Sequence, residues 1–284
     1  MKRHTCLLLL LTLCLFQSVS WANDKQITVT HYQTHERYAY GQQLLTLALS
    51  KLDQDFEIRT PNDLEMNEAR GELEVIDGVL DLQWMSTTTE RESKMTAVKV
   101  PIYRWILDLR LLLIQNERAS ELGKIQNLSD LQQYTGAHGT HWGDLPVYAA
   151  NNLKVQSLVK YESLFKLLEL GRVDYFHRGL NEIWNEYERH KQSLTIADNV
   201  MLFYPLPVYF FVSKHRPQLA KQIEQGLTIA LEDGSFKAHF LNYHSEFINK
   251  GQLETRKLIS LKNPDLPAGT PDIDSSWWLS SVQN

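Results

Sequence analysis

The sequence predicts an α/β fold of two lobes around a cleft, and three observations predict it. First, a helix, a Gly-x-x-Asp turn and an apolar strand occur twice. Gly78 and Asp81 lead into Leu82-Gln-Trp-Met, and Gly171 and Asp174 lead into Tyr175-Phe176. Glycine readily ends a helix in the left-handed conformation, and a helix feeding a strand in this way is one unit of an α/β sheet. Second, strand and helix patterns alternate with short links from residue 26 to 85, the order of a parallel sheet. Third, two long apolar strand patterns, 106–115 and 200–212, bracket the segment 116–199. Such a pair is how one lobe is inserted into another through two hinge strands. The repeat alone also suits one larger α/β domain.

At the N-terminus, Lys2 and Arg3 precede an apolar run over 7–16, and Ser20-Trp21-Ala22 follows. This is the pattern of a secretory signal peptide, with cleavage expected after Ala22. Leu13 before Cys14 is bulky where a lipoprotein signal needs a small residue, so lipidation is not expected. Residues 26–31 alternate and are β-branched, a strand. Residues 37–52 carry Leu44, Leu45, Ala48, Leu49 and Leu52 on one face, a helix. A strand at 56–60 stops at Pro61. The helix 65–76 and the strand 80–85 form the first Gly-x-x-Asp unit. The polar residues 86–92 then leave the carboxyl end of a strand, where parallel sheets bind ligands.

Further on, strands are expected at 106–115, 134–140 and 155–159, and helices at 129 onward and 145–151. The second unit joins the helix 162–170 to the strand at 173–176, and a helix over 182–190 follows. Pro205 and Pro207 break the pattern 200–212. Helices over 217–231 and 236–248 precede a proline-rich tail, 258–284, read as packed rather than as a domain. The expected lobes are 23–113 with 203–284, and 114–202.

Both cysteines, Cys6 and Cys14, lie in the expected signal segment, so the mature chain has no disulfide. About 260 residues bury enough surface without one. Removing Lys2 and Arg3 moves the net charge from −5 to −7, which argues against nucleic acid or an anionic membrane as partner. No Gly-x-Ser-x-Gly, P-loop or dinucleotide motif occurs. His31 with His35, and His138 with His141, have spacings that can share a metal. Neither pair has an evident third ligand, so no metal or other cofactor is expected.

Several of these residues together resemble the bacterial extracellular solute-binding proteins of family 3, which have the type II periplasmic binding fold. Met85-Ser-Thr-Thr-Thr-Glu-Arg91 resembles the family's Thr-x-Glu-Arg loop, and Gly136–Thr140 its Gly-x-x-x-Gly-Thr loop. Leu170-Gly-Arg-Val-Asp174 resembles its second-lobe strand entry. Leu219-Ala, Gly226-Leu and Asp233-Gly-Ser-Phe236 resemble its C-terminal helices. The likeness covers nearly the whole mature chain. It is closer to a less characterised branch with Asp-Tyr-Phe-x-Arg-Gly-x-x-Glu-Ile and Asn263-Pro264-x-Leu266-Pro267. The resemblance implies a monomeric, non-catalytic periplasmic protein. It would trap an amino-acid-like or anionic solute and present it to a transporter permease or a membrane sensor. A ligand-free interaction protein and an enzyme on the same scaffold are the alternatives.

On that resemblance, Arg91 and Ser86 would hold a ligand carboxylate, since a guanidinium fork matches one. The backbone N–H groups of Gly139 and Thr140 would favour an anion. Amino-acid binders place an acid five residues past Asp174, where this chain has Gly179; Glu182 is the substitute and Arg178 adds positive charge. Each candidate also has a structural reading. Ser86, Thr88 and Thr140 suit helix caps, Arg91 an ion pair with Glu90 or Glu92, and Arg178 an ion pair with Glu182 or Glu186. Trp142 suits either stacking on a ligand or lobe packing, as do Tyr32 and Tyr38.

Overall fold

In the computed structural model, which describes residues 26–61 and 66–272, both Gly-x-x-Asp units fold alike. The expected signal segment and Trp277-Trp278 lie outside the described residues. The first part of the chain supplies β1 (Ile27–Thr30), α1 (Ala39–Ser50), β2 (Phe56–Arg59), α2 (Glu68–Ile76), β3 (Leu82–Ser86), α3 (Thr89–Lys94) and β4 (Thr96–Val98). The middle supplies β5 (Leu109–Gln115), α4 (Ala119–Leu122), α5 (Leu128–Leu131), β6 (Thr135–Gly139), α6 (Leu145–Ala150) and β7 (Lys154–Leu158). It continues through α7 (Tyr161–Glu169), β8 (Tyr175–Gly179), α8 (Ile183–His190), β9 (Leu194–Ile196) and β10 (Val200–Phe203). Last come β11 (Val208–Val212), α9 (Pro217–Glu232), α10 (Ser235–Gly251) and β12 (Lys257–Ser260).

Lobe 1 is built on parallel β1–β2 and on an antiparallel sheet ordered β3-β11-β4. The amide of Gln33 joins the two. Its Nε2 donates to Trp84 O (2.8 Å) and its Oε1 accepts Trp84 N–H (2.7 Å), as a backbone partner would. Lobe 2 is one sheet ordered β12-β10-β5-β8-β6-β7, with β9 also on β5. β6, β7 and β8 are parallel, and β5 runs antiparallel to β8, β9 and β10. Helices cover the sheets with their apolar stripes. α1 buries Leu44, Leu45, Ala48 and Leu49 and packs on α9, and α7 buries Leu164, Phe165 and Leu168. Among the described residues no helix is long and apolar enough to cross a membrane.

The two units share a hydrogen-bond design. Gly78 and Gly171 both take left-handed φ, 77° and 63°, which glycine adopts without strain. Each aspartate then clamps the neighbouring strand. Asp81 Oδ2 accepts Thr30 N–H (2.8 Å) while Asp81 N–H donates to Thr30 O (3.0 Å). Asp174 Oδ2 accepts Thr135 N–H (2.6 Å) while Asp174 N–H donates to Thr135 O (2.7 Å). An arginine from elsewhere pairs with each free carboxylate oxygen: Arg216 on Asp81 and Arg118 on Asp174.

The apolar stretch 200–212 is two strands in two sheets. β10 pairs with β5 and β12 in lobe 2, and β11 enters lobe 1, with Pro205 and Pro207 at the crossing. The outward crossing precedes β5 and contains Arg104 and Trp105 at φ 44° and 68°. Non-glycine residues avoid that region, and Trp105, 2 % exposed, is held there by packing. Asp108 clips the two crossings together, since its Oδ2 accepts Leu206 N–H (2.8 Å). The tail differs from expectation. It supplies β12 to the lobe 2 sheet, then returns. Asn263 Nδ2 donates to Pro205 O (2.9 Å), and Asp265 Oδ1 accepts Thr89 N–H (3.3 Å) in lobe 1.

Asp108 is 1 % exposed, and burial pushes its carboxyl from 3.8 up to about 8, against the pull of Leu206 N–H and Arg110. Below pH 4 both folded and unfolded forms keep this proton. Between pH 4 and 8 only the unfolded chain releases it, so folding loses about 1.4 kcal/mol per pH unit, up to a few kcal/mol. Asp108→Asn keeps an oxygen for Leu206 N–H and removes the ionisation. In urea titrations the variant is expected to gain on the wild type steadily from pH 4 to 8. A pH-independent difference would contradict this account.

Candidate functional site

The lobe 1 wall of the cleft is the segment after β1, the end of β3, and the start of α3. Thr88 caps α3, its Oγ1 accepting Arg91 N–H (3.1 Å). Arg91 is 5 % exposed and turns back toward α2. Nε donates to Glu72 (3.1 Å), Nη2 to Glu68 (2.7 Å) and to His141 O (3.5 Å). Nη1 donates to Ser86 O (2.8 Å) and Ser86 Oγ (3.1 Å). A guanidinium has five N–H donors, and all five are used. Burial works against its charge, but Glu68 and Glu72 outweigh that and raise its pKa. Its partners are thus on α2, and the expected pairing with Glu90 or Glu92 is not what forms. Glu90 instead pairs with Lys94 (2.5 Å), and Glu92 accepts from Thr87 (2.8 Å).

The lobe 2 wall is residues 140–143, the start of α7 and the end of β8. Arg178, 4 % exposed, donates from Nε to both Glu186 oxygens (2.9 and 2.8 Å) and pairs through Nη2 with Glu182 (3.0 Å). Its guanidinium lies 5.0 Å from the Trp142 ring, 5.1 Å from Phe176 and 5.6 Å from Tyr161, close enough for cation–π attraction. Tyr161 donates to Glu186 (2.5 Å), and burial followed by Glu186 keeps its phenol protonated. Glu182 also accepts Gly179 N–H (3.1 Å) and lies 3.7 Å from Arg110.

Each expected guanidinium therefore already has two carboxylates. The expectation of two uncompensated cations facing the cleft is corrected, because a buried guanidinium without counter-charge is costly. The anion-binding role of the Thr140 N–H is corrected too. Thr140 N–H donates to Leu158 O of β7 (3.1 Å), extending the β6–β7 pairing, and the Gly139 carbonyl accepts Trp142 N–H (3.2 Å). Trp142 is half-buried and stacks on Phe176 at 6.1 Å and 15°. Tyr32 is 7 % exposed and meets Tyr38 edge-on at 6.4 Å.

The walls touch. His141 O reaches Arg91, and a Cβ added at Gly143 would lie 2.6 Å from Ser86 Oγ and 3.1 Å from Arg91 Nη1. Arg37 of lobe 1 lies 4.5 Å from the Tyr38 ring and 5.0 Å from the Tyr161 ring of lobe 2, and donates to Tyr38 Oη (2.6 Å). The structure thus brings together Ser86, Thr88, Arg91 and residues 141–143 across the seam, and Trp142, Arg178 and Glu182 within lobe 2. Sequence reasoning missed Arg37, Tyr161, Glu68 and Glu72. Glu68 and Glu72 lie on the helix face of buried Gly71 and Val75, and acids on an inward stripe are a readable mark. Arg37 and Tyr161 carry no such mark.

The two histidine pairs whose spacing could share a metal have separate surroundings. His35 accepts Arg37 N–H (3.2 Å), and His31 meets Trp84 edge-on at 5.1 Å. His141 is exposed. His138 meets Asp144 and His177 instead.

No family model matches the chain, and no curated protein matches it in sequence. Solved structures do resemble it. One is an amino acid ABC transporter substrate-binding protein from Streptococcus pneumoniae bound to L-arginine. It has a TM-score of 0.59 and 13 % identity, over 78 % of this chain and 94 % of that one. A periplasmic His/Glu/Gln/Arg/opine family-binding protein from Silicibacter pomeroyi, in complex with lysine, has 0.58 and 11 %, over 77 % and 96 %. An ancestral arginine-binding protein bound to arginine has 0.57 and 16 %, over 76 % and 97 %. The chain has the two-lobed periplasmic-binding-protein fold.

Arg91→Ala would leave Glu68 and Glu72 facing each other unpaired. It is expected to cost about 3 kcal/mol in denaturant unfolding without any ligand. Adding Glu72→Gln should recover part of this, with a coupling of about 0.5–3 kcal/mol. Strictly additive losses would show that the pairs do not interact.

Proposed function

We propose that the protein is a non-catalytic solute-binding protein that closes its two lobes on a small amino-acid-like solute. The observation that carries this is the arrangement of charge in the cleft. Arg91 with Glu68 and Glu72 stands on one wall, and Arg178 with Glu182 and Glu186 on the other. A zwitterion can exchange with such a set without stranding charge. Its carboxylate takes donors from a glutamate, and its ammonium takes that glutamate. A simple anion would displace a carboxylate and leave it buried and unpaired, at a cost of several kcal/mol. An anion without an amine, an option on the sequence alone, is therefore the weaker candidate.

Ser86, Thr88, Trp142, Tyr32, Thr140 and Glu182 remain the proposed lining, joined by Tyr161 and Arg37. The Arg37 guanidinium between rings of the two lobes suggests that the same slot suits a ligand cation. Proteins of this fold bound to arginine and to lysine agree with this chemistry. Solute would favour the closed form because only that form offers both walls. The pivot is proposed at the crossings before β5 and after β10. We also propose export through residues 1–22, a periplasmic location, a monomer, and presentation of the solute to a permease or a membrane sensor.

A thermal-shift screen of amino acids, dicarboxylates and polyamines tests this reading. An amino acid at a hundred times its Kd is expected to stabilise by about 2.7 kcal/mol. Gly143→Ala, which puts a methyl group into the seam, is expected to weaken that ligand at least tenfold. A shift from dicarboxylates alone would reverse the ligand class. Turnover of the ligand would make the protein an enzyme, and no shift from any compound would remove the binding role.

A further inference from the structure

We propose that His138, Asp144 and His177 form a binding site for a divalent transition-metal ion such as zinc inside lobe 2, beneath the cleft. The register of the sheet brings the two histidines together. β6 and β8 are parallel with Ala137 opposite Phe176, so the next residue in each strand points to the other face. There the two imidazole rings lie 5.0 Å apart. Asp144, just before α6, reaches the same point, with Oδ1 3.2 Å from His138 Nε2. One ligand atom from each residue lies within 4.8 Å of the other two. Ligand atoms around tetrahedral zinc are about 3.3 Å apart, from bonds of about 2.0 Å, so modest side-chain rotation completes the geometry.

Hydrogen bonding shows what is missing from the cluster. His138 Nδ1 lies 2.8 Å from Gly139 O. A carbonyl can only accept, so Nδ1 carries the proton. In a neutral ring, Nε2 is then a lone pair pointing at a carboxylate oxygen, which is also an acceptor. Two acceptors 3.2 Å apart repel unless a proton or a metal cation lies between them. His177 sharpens the point. It is 0 % exposed, and neither ring nitrogen has a hydrogen-bond partner among the described residues. A buried polar group left unsatisfied costs about 1–3 kcal/mol.

The surroundings suit a ligand carboxylate. Asp144 Oδ2, the oxygen turned from His138, accepts Tyr204 Oη–H (2.7 Å) and lies 3.3 Å from Arg110 Nη2. These contacts orient Asp144 as outer partners orient metal ligands, and they leave Oδ1 toward the histidines. Two imidazoles and one carboxylate suit zinc, cobalt or nickel, whereas calcium and magnesium prefer oxygen alone. Three protein ligands are one short of a closed structural zinc site, which points to weaker affinity than a zinc finger's. Full burial argues for a structural ion, loaded on folding. Such an ion would tie β6 and β8 to the segment carrying Trp142 and Gly143, and so stiffen one wall of the cleft.

The test uses untagged protein, unfolded in chelator and refolded with or without zinc, then gel-filtered and measured for metal by mass spectrometry. Near one zinc per chain and a higher unfolding midpoint are expected. His177→Phe should lower retained zinc at least tenfold, and His141→Ala should not. Refolding with cobalt should give the visible d–d absorption of a site with nitrogen ligands. If His177→Phe does not fold, the cobalt spectrum of the wild type decides. Wild-type protein that retains neither ion overturns the proposal, as does equal zinc in His177→Phe. So does a nitrogen-15 spectrum of zinc-refolded protein with His138 protonated on both nitrogens, since a proton would then fill the gap.

Discussion

A guanidinium taken out of water needs carboxylates around it, and much of this structure follows from meeting that need. Arg91 and Arg178 are each almost fully buried, and each has two glutamates within 3.1 Å. Arg110 is equally buried, between Asp144 and Glu182. With Glu182 shared between Arg110 and Arg178, three guanidinium groups meet five carboxylates, so each buried cation is paired within the protein itself. Such pairs contribute little net stability, but removing one member is costly.

The hinge works under the same constraint with a different solution. Asp108 is buried, and burial outweighs the pull of Leu206 N–H and Arg110 and raises its carboxyl to about 8. One of its oxygens accepts Leu206 N–H, so it clips the outward crossing to the return. The tail makes a third link through β12, Asn263 and Asp265. Three segments of backbone thus link the two lobes. The seam where Gly143 meets Ser86 leaves no room for a Cβ.

Beneath the cleft, the His138–Asp144–His177 cluster and the cleft wall share one segment of chain. Residues 139–144 carry Trp142 and Gly143 to the seam and Asp144 to the histidines. The proposed ion would therefore hold that segment from beneath.

Local rules determined the architecture. Period-2 and period-3.6 patterns and the paired Gly-x-x-Asp turns marked nearly every long element. The prolines at 205 and 207 marked where the chain leaves one sheet for the other. Short strands such as β4, β9 and β12 carried too few residues for a pattern and depended on their partners. The site was legible only in part. Ser86, Thr88, Arg91, Trp142, Arg178 and Glu182 were candidates from position and from a family's motif; the fold sets the first three against residues 141–143 and gathers the last three within lobe 2. Their roles were not readable, because a charge's role depends on its neighbours in space. Glu68 and Glu72 come from a helix some twenty residues before Arg91, and His141 from the other lobe. Sequence alone decided which residues could carry charge to the cleft. Only the folded chain decided that each of those guanidinium groups meets two carboxylates, since pairing energy depends on ångström distances between segments far apart in sequence.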